Sequence, residues 1–136
     1  MIRMPLMRPV PFCVEDEFSN YTRRWELMED YIIFDNFIPS GFIFDGASIP
    51  KFSRGLLSPV GILLVPALAH DYCYRYHRIC YMDVHGFKHD KPITKEDSDL
   101  LFLTIANKVN HMPKINKIAY KAVKYFGRKA WNKHFK

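Results

Sequence analysis

Hydrophobic and polar positions change their period partway along the chain. Between Thr22 and Phe44 the pattern is strand-like. Trp25 and Leu27 alternate with Arg24 and Glu26, and Met28 interrupts the polar side, a period near two. Tyr31 to Ile38 is dense in aromatic and β-branched residues, and Pro39-Ser40-Gly41 reads as a turn before Phe42-Ile43-Phe44 opens a third short strand. Beyond Leu63 the spacing lengthens. A first helix is predicted from about Leu63 to Arg78, with Pro66 in the first turn, where a missing N–H costs little. His85-Gly86 and Pro92 mark a connecting loop. A second helix starts after Thr94, its N-cap, with Leu100, Leu101, Leu103, Ile105 and Val109 on the apolar side. A third begins at Pro113, where Ile115, Ile118, Ala119, Ala122, Val123 and Phe126 recur at three and four until Gly127 ends or bends it. The expected fold is α+β, a small antiparallel β-sheet followed by three helices, with one sheet face covered. Residues 1–136 read as a single domain. It has an extended N-terminal arm over about 1–20, rich in proline, and a basic C-terminal helix over about 113–136.

Composition narrows the class. With 136 residues, 49% apolar and 25% charged, the chain is long enough for one core and too apolar to stay disordered. Three cysteines are no disulfide scaffold and suggest buried thiols in a reducing compartment. The longest apolar run, Pro59 to Ala69, falls far short of the ~20 residues needed to cross a bilayer, and the N-terminus carries no signal-peptide pattern. No transmembrane insertion is expected.

Charge is divided unevenly. The net charge is +6, yet Leu100 to Lys136 holds nine of the twenty cations and no acid, which leaves the first 99 residues at −3. Lys117, Lys121, Lys124, Arg128 and Lys129 form the expected basic surface. It is either a solvated helix face or a seat for an acidic or nucleic-acid partner, through attraction that fades with salt. Tyr125 and Trp131 are candidates for stacking or for the core.

The sharpest local feature is His70-Asp71-Tyr72-Cys73-Tyr74 on the first helix. His70, Tyr74 and His77 fall on one face, with Asp71, Arg75 and Arg78 on the next. A His and an Asp inside an apolar helix need partners. Asp99 near the start of the second helix could meet them if the two helices pack antiparallel. Asp45, in the loop Asp45-Gly46-Ala47-Ser48-Ile49-Pro50, is the other candidate. Two chemistries are open. Asp45, His70, Asp71 and Asp99 could ligate one divalent ion such as Mg, Mn, Ca or Zn. Alternatively His70 acts as a base oriented by Asp99. Ser48 is the only hydroxyl of the loop considered as a nucleophile. The same residues could instead form a satisfied polar network that pins the loop to the helices.

Phe44-Asp45-Gly46-Ala47-Ser48-Ile49-Pro50, followed by His70-Asp71 with Tyr74 and by Asp99 with Phe102, resembles a phage-associated domain family of unknown function, numbered 1353. The likeness spans about residues 22 to 127 and includes Asp45, Ser48, His70, Asp71 and Asp99 among the signature polar positions. It implies a viral origin, in tailed phages and prophages, and no agreed activity. A narrower likeness joins His70-Asp71-Tyr72-Cys73-Tyr74 to the active helix of secreted phospholipase A2. That resemblance implies His70 as base, Asp71 at calcium and Asp99 orienting the His. Pro66 and Ala67 stand where that family has paired cysteines, its glycine-rich calcium loop has no clear match, and its disulfides are lacking. The likeness is assigned to chance or convergence. Histidine–aspartate phosphohydrolases require a metal-binding His upstream, and no His precedes position 70.

The leading expectation is a small phage-encoded metal-dependent hydrolase centred on His70, Asp71 and Asp99, with Asp45 from the loop, acting in the host cytoplasm. The alternative is a structural or accessory virion protein of the tail, neck or baseplate. There the same polar cluster is structural, and the N-terminal arm docks onto other phage proteins.

Overall fold

The structure is a computed structural model that describes residues 4–9, 25–44 and 63–133. The elements in chain order are β1 (Met7–Pro9), β2 (Trp25–Leu27), β3 (Tyr31–Ile33), β4 (Asn36–Ile38), β5 (Ile43–Phe44), α1 (Leu64–Tyr76), β6 (Arg78–Met82), β7 (Lys88–Pro92), α2 (Lys95–Val109), α3 (Pro113–Phe126) and α4 (Arg128–Lys133). The architecture is α+β and antiparallel.

Two sheets form where one was expected, with strand orders β1-β2-β5 and β3-β4-β6-β7. Part of the N-terminal arm is therefore docked, since β1 pairs antiparallel with β2 and sets Met7 opposite Leu27. Its proline sits on an edge strand, where no ladder hydrogen bond is lost. Arg8 Nε donates to Glu26 Oε2 across the pair at 2.7 Å.

The segment expected as helix end and loop, residues 78–92, is a β-hairpin. Lys88-His89-Asp90-Lys91-Pro92 is exposed along its whole length, so it carries no alternating apolar signal. It is held instead by pairing with β6, which sets Cys80 opposite Asp90. Arg78 also donates through Nε to Asp90 Oδ2 at 2.9 Å. The hairpin tip is closed by Asp83 Oδ1, which accepts from the backbone N–H groups of His85 and Phe87.

β3 and β4 are joined by the two-residue turn Phe34-Asp35, because Ile33 lies opposite Asn36. Phe34 adopts φ 57°, a left-handed conformation costly for a bulky side chain. The ammonium of Lys108 sits 4.6 Å from its ring centroid and offsets part of that cost. Tyr31 and Ile33 point inward while Ile32 faces out.

α1 is the central helix. Leu64 to Ala69 are buried on all sides, and Pro66 in the first turn leaves no hydrogen bond unmade. The helix stops at His77, whose φ of 54° ends the spiral while its N–H still donates to Cys73 O. Thr94 caps α2 as expected, its side chain accepting from the Asp97 N–H at 3.1 Å. His70 meets Asp99 and Phe102, whereas Tyr74 also meets Asp99 but lies under Lys95. α1 and α2 therefore run in opposite directions. α3 lays Asn116, Ala119 and Val123 inward, and α4, a helix beyond the three expected, brings Trp131 onto the end of α1. The Trp131 ring stacks on His77 at 3.6 Å and meets Tyr74 edge-on.

Candidate functional site

A polar cluster lies where α1, α2 and the end of α3 converge. Relative exposures are 0% for His70, 4% for Lys95 and 1% for Asp99. The antiparallel packing of α1 and α2 explains the meeting. Residues i and i+4 of α1, His70 and Tyr74, face residues i and i+4 of α2, Lys95 and Asp99.

Asp99 is the hub. Its Oδ1 lies 2.7 Å from His70 Nε2 and accepts from the Tyr74 hydroxyl at 2.7 Å. Its Oδ2 accepts from Lys95 Nζ at 2.7 Å. Lys95 Nζ also donates to the Lys124 carbonyl at 3.1 Å and the Val123 carbonyl at 3.4 Å. Those carbonyls close the last turn of α3, the negative end of its dipole, which suits a buried ammonium.

The protonation states follow. Burial works to raise the Asp99 pKa, but hydrogen bonds from His70, Lys95 and Tyr74 outweigh it and hold the carboxyl below its ordinary value. Burial drives the His70 pKa down, against the opposing pull of Asp99, so the imidazole is neutral. An ionised carboxylate only accepts, so the His70 proton resides on Nε2 and Nδ1 is the basic nitrogen. Burial, then Asp99, pushes the Tyr74 phenol above its ordinary range, which keeps it a donor. The result is a neutral His oriented by a carboxylate that an ammonium balances, the arrangement a general base uses.

The other candidate residues fall as follows. Asp71 is buried on the adjoining face of α1. Asp45 and Ser48 lie outside the described residues. Asp99, expected also as a metal ligand, has both oxygens engaged by protein donors, one of them cationic. Among the described residues no three His, Cys, Asp or Glu side chains gather in a metal-holding group. Burial pushes the Cys73 thiol up to about 12, which leaves it inert at neutral pH. A groove of about 450 Å³ runs between α2 and the hairpin, lined by Ile79, Ile93, Asp97, Leu100, Leu101 and Thr104 among others. It lies on the face of α2 opposite Asp99.

Lys95 is the member that sequence reasoning missed. Its signal was the i,i+4 spacing to Asp99, which usually marks a surface pair. Gly127 was read only as the end or a bend of the helix, yet it backs directly onto Tyr74. Of the expected basic surface, Lys117, Lys121, Lys124 and Lys129 are exposed, and Arg128 is spent on Glu96 at 3.1 Å.

Taken together, the described residues define an α+β protein whose antiparallel helix pair buries a carboxylate-oriented histidine. The chain belongs to the family described as protein of unknown function (DUF1353), whose family model matches residues 25–123. Neither a curated protein nor a solved structure matches it.

Proposed function

We propose that the chain is a small hydrolase in which His70 is the general base. The observation that carries this reading is the shared Oδ1 of Asp99, 2.7 Å from both His70 Nε2 and the Tyr74 oxygen. Asp99 sets the tautomer that leaves Nδ1 basic, and it stabilises the imidazolium formed when Nδ1 takes a proton from water. Lys95 and Tyr74 hold the carboxylate in place and are positioning residues. The bond attacked is an ester, amide or phosphoester. A divalent cation would polarise that bond, and Asp99 would not be among its ligands, because both its oxygens are engaged by His70, Tyr74 and Lys95. The base chemistry of His70 stands without it.

The complete burial of His70, Lys95 and Asp99 favours a second reading. Here the cluster is a pin that locks α1, α2 and α3 in register, and the protein is a structural or accessory component. A phage origin, expected from the sequence resemblance, would place that component in a virion.

Access of the reagent to His70 separates the two. Native protein is treated with diethyl pyrocarbonate, and each modified histidine is mapped by peptide mass spectrometry. Modification of His70 in folded protein, with ester or phosphodiester turnover lost in His70→Gln at unchanged circular dichroism, supports the hydrolase. A His70 inert until the chain unfolds, with no turnover in wild type, supports the pin.

A further inference from the structure

We propose that the outer face of α3 seats the protein on an anionic bilayer surface. This inference is independent of the role of His70. The helix turns Asn116, Ala119 and Val123 into the protein. Three rows spaced by seven run along its other side, pairing Lys117 with Lys124, Lys114 with Lys121, and Ile118 with Tyr125. All six are exposed, and the apolar row is far out in solvent, with Ile118 at 61% and Tyr125 at 70%. Phe126 adds a further ring at 65% exposure beside the helix end.

Among the described residues no carboxylate pairs with these lysines. From Leu100 onward the sequence holds no acid, and among the described residues Glu96, the acid beside this end of α3, is taken by Arg128. Lysines three and four apart on one helix repel one another, and a surface of opposite charge removes that cost. Lys124 lies 5.8 Å from the Tyr125 ring centroid and 5.9 Å from that of Tyr120, so this cation sits within reach of two neighbouring rings.

The chemistry of the face favours lipid over nucleic acid. Every cation in the rows is a lysine, a point charge on a flexible aliphatic stem, with no arginine fork for phosphate or base edges. No amide or acidic side chain shares the face to read a base. Ile118 adds nothing to base stacking, yet an aliphatic and aromatic row bordered on one side by two rows of lysine suits the boundary between headgroups and acyl chains. The face spans about 16 Å from Lys114 to Tyr125 at ~1.5 Å per residue. The helix would lie on the membrane. No helix among the described residues is long and apolar enough to cross one.

The test is co-sedimentation of the full chain with vesicles of phosphatidylcholine alone and of phosphatidylcholine with phosphatidylglycerol. Binding to the anionic vesicles alone is expected, weakening with salt. Lys117→Glu with Lys121→Glu should weaken it about tenfold or more, and Ile118→Ser with Tyr125→Ser should also weaken it. All variants should keep the wild-type circular dichroism. Equal binding to both vesicle types, no binding to either, or variants that bind like wild type would overturn the proposal. So would tight binding of a single-stranded oligonucleotide by a chain that ignores vesicles.

Discussion

Gly127 sits against Tyr74 so closely that a methyl group on it would lie 2.5 Å from the Tyr74 hydroxyl and would also press on the Val123 carbonyl. The glycine is not there for a left-handed turn, since its φ is −84°. It is there because the phenol that donates to Asp99 occupies the space a side chain would need. Gly127→Ala should therefore destabilise by about 1–3 kcal/mol through overpacking. The penalty should shrink in a Tyr74→Phe background, where the clashing oxygen is gone. A double-mutant cycle by urea denaturation measures the coupling. Additive penalties would show that the two residues do not compete for the same space.

Asp99 balances a buried ammonium, so its removal should cost more than its own hydrogen bonds. Asp99→Ala leaves Lys95 charged and without its carboxylate, a loss of about 3–5 kcal/mol. Replacing the pair together, Lys95→Met with Asp99→Leu, should recover much of that loss. Thermal or urea melts of the single and double variants check this. A double variant as unstable as Asp99→Ala would mean that the cost lies in packing rather than charge.

Acid should destabilise the fold earlier than an ordinary carboxylate would. The His70 pKa is lower in the folded state than in the unfolded chain, so the unfolded chain binds the extra proton below about pH 6.5. Stability is complete above that value and falls as the pH drops, at up to about 1.4 kcal/mol per unit for this single group. Asp99, also lowered when folded, adds its own loss below about pH 4. Urea midpoints measured between these values should decline in wild type. They should decline less in His70→Gln, once its lower baseline is subtracted.

The strained turn at Phe34 offers a local test. At φ 57° a β-branched residue is worse than phenylalanine and asparagine is better. Phe34→Val should cost about 1–2 kcal/mol. Phe34→Asn should fall within about 0.5 kcal/mol of wild type or above it, because relief of strain offsets the lost contact with Lys108. Two thermal melts settle the ranking.

How far these features could be read from residues alone depends on the range of the interaction. The three long helices follow from local rules. Pro66 fits a first turn, Thr94 accepts from the Asp97 N–H, Pro113 opens α3, and apolar residues recur at helical spacing. The α+β class followed from the same change of period. The β6–β7 hairpin did not, because Lys88 to Pro92 is polar throughout. Its strand character comes from pairing with Arg78 to Met82, a contact partner rather than a pattern.

The site divides in the same way. His70, Asp71 and Asp99 stood out because ionisable groups among apolar neighbours must find partners. Their order along the chain does not say which partner each one finds. Only the antiparallel packing of α1 on α2 brought Asp99 to His70 rather than to Asp71. Only the end of α3 supplied the carbonyls that drew Lys95 inward and left Asp99 engaged on both oxygens. The lysines and Ile118 of α3 could be placed on its faces by spacing. That Ala119 and Val123 would turn inward and leave Ile118 in solvent was settled by what α3 packs against, since a helix with apolar residues on two sides can bury only the side that meets a neighbour.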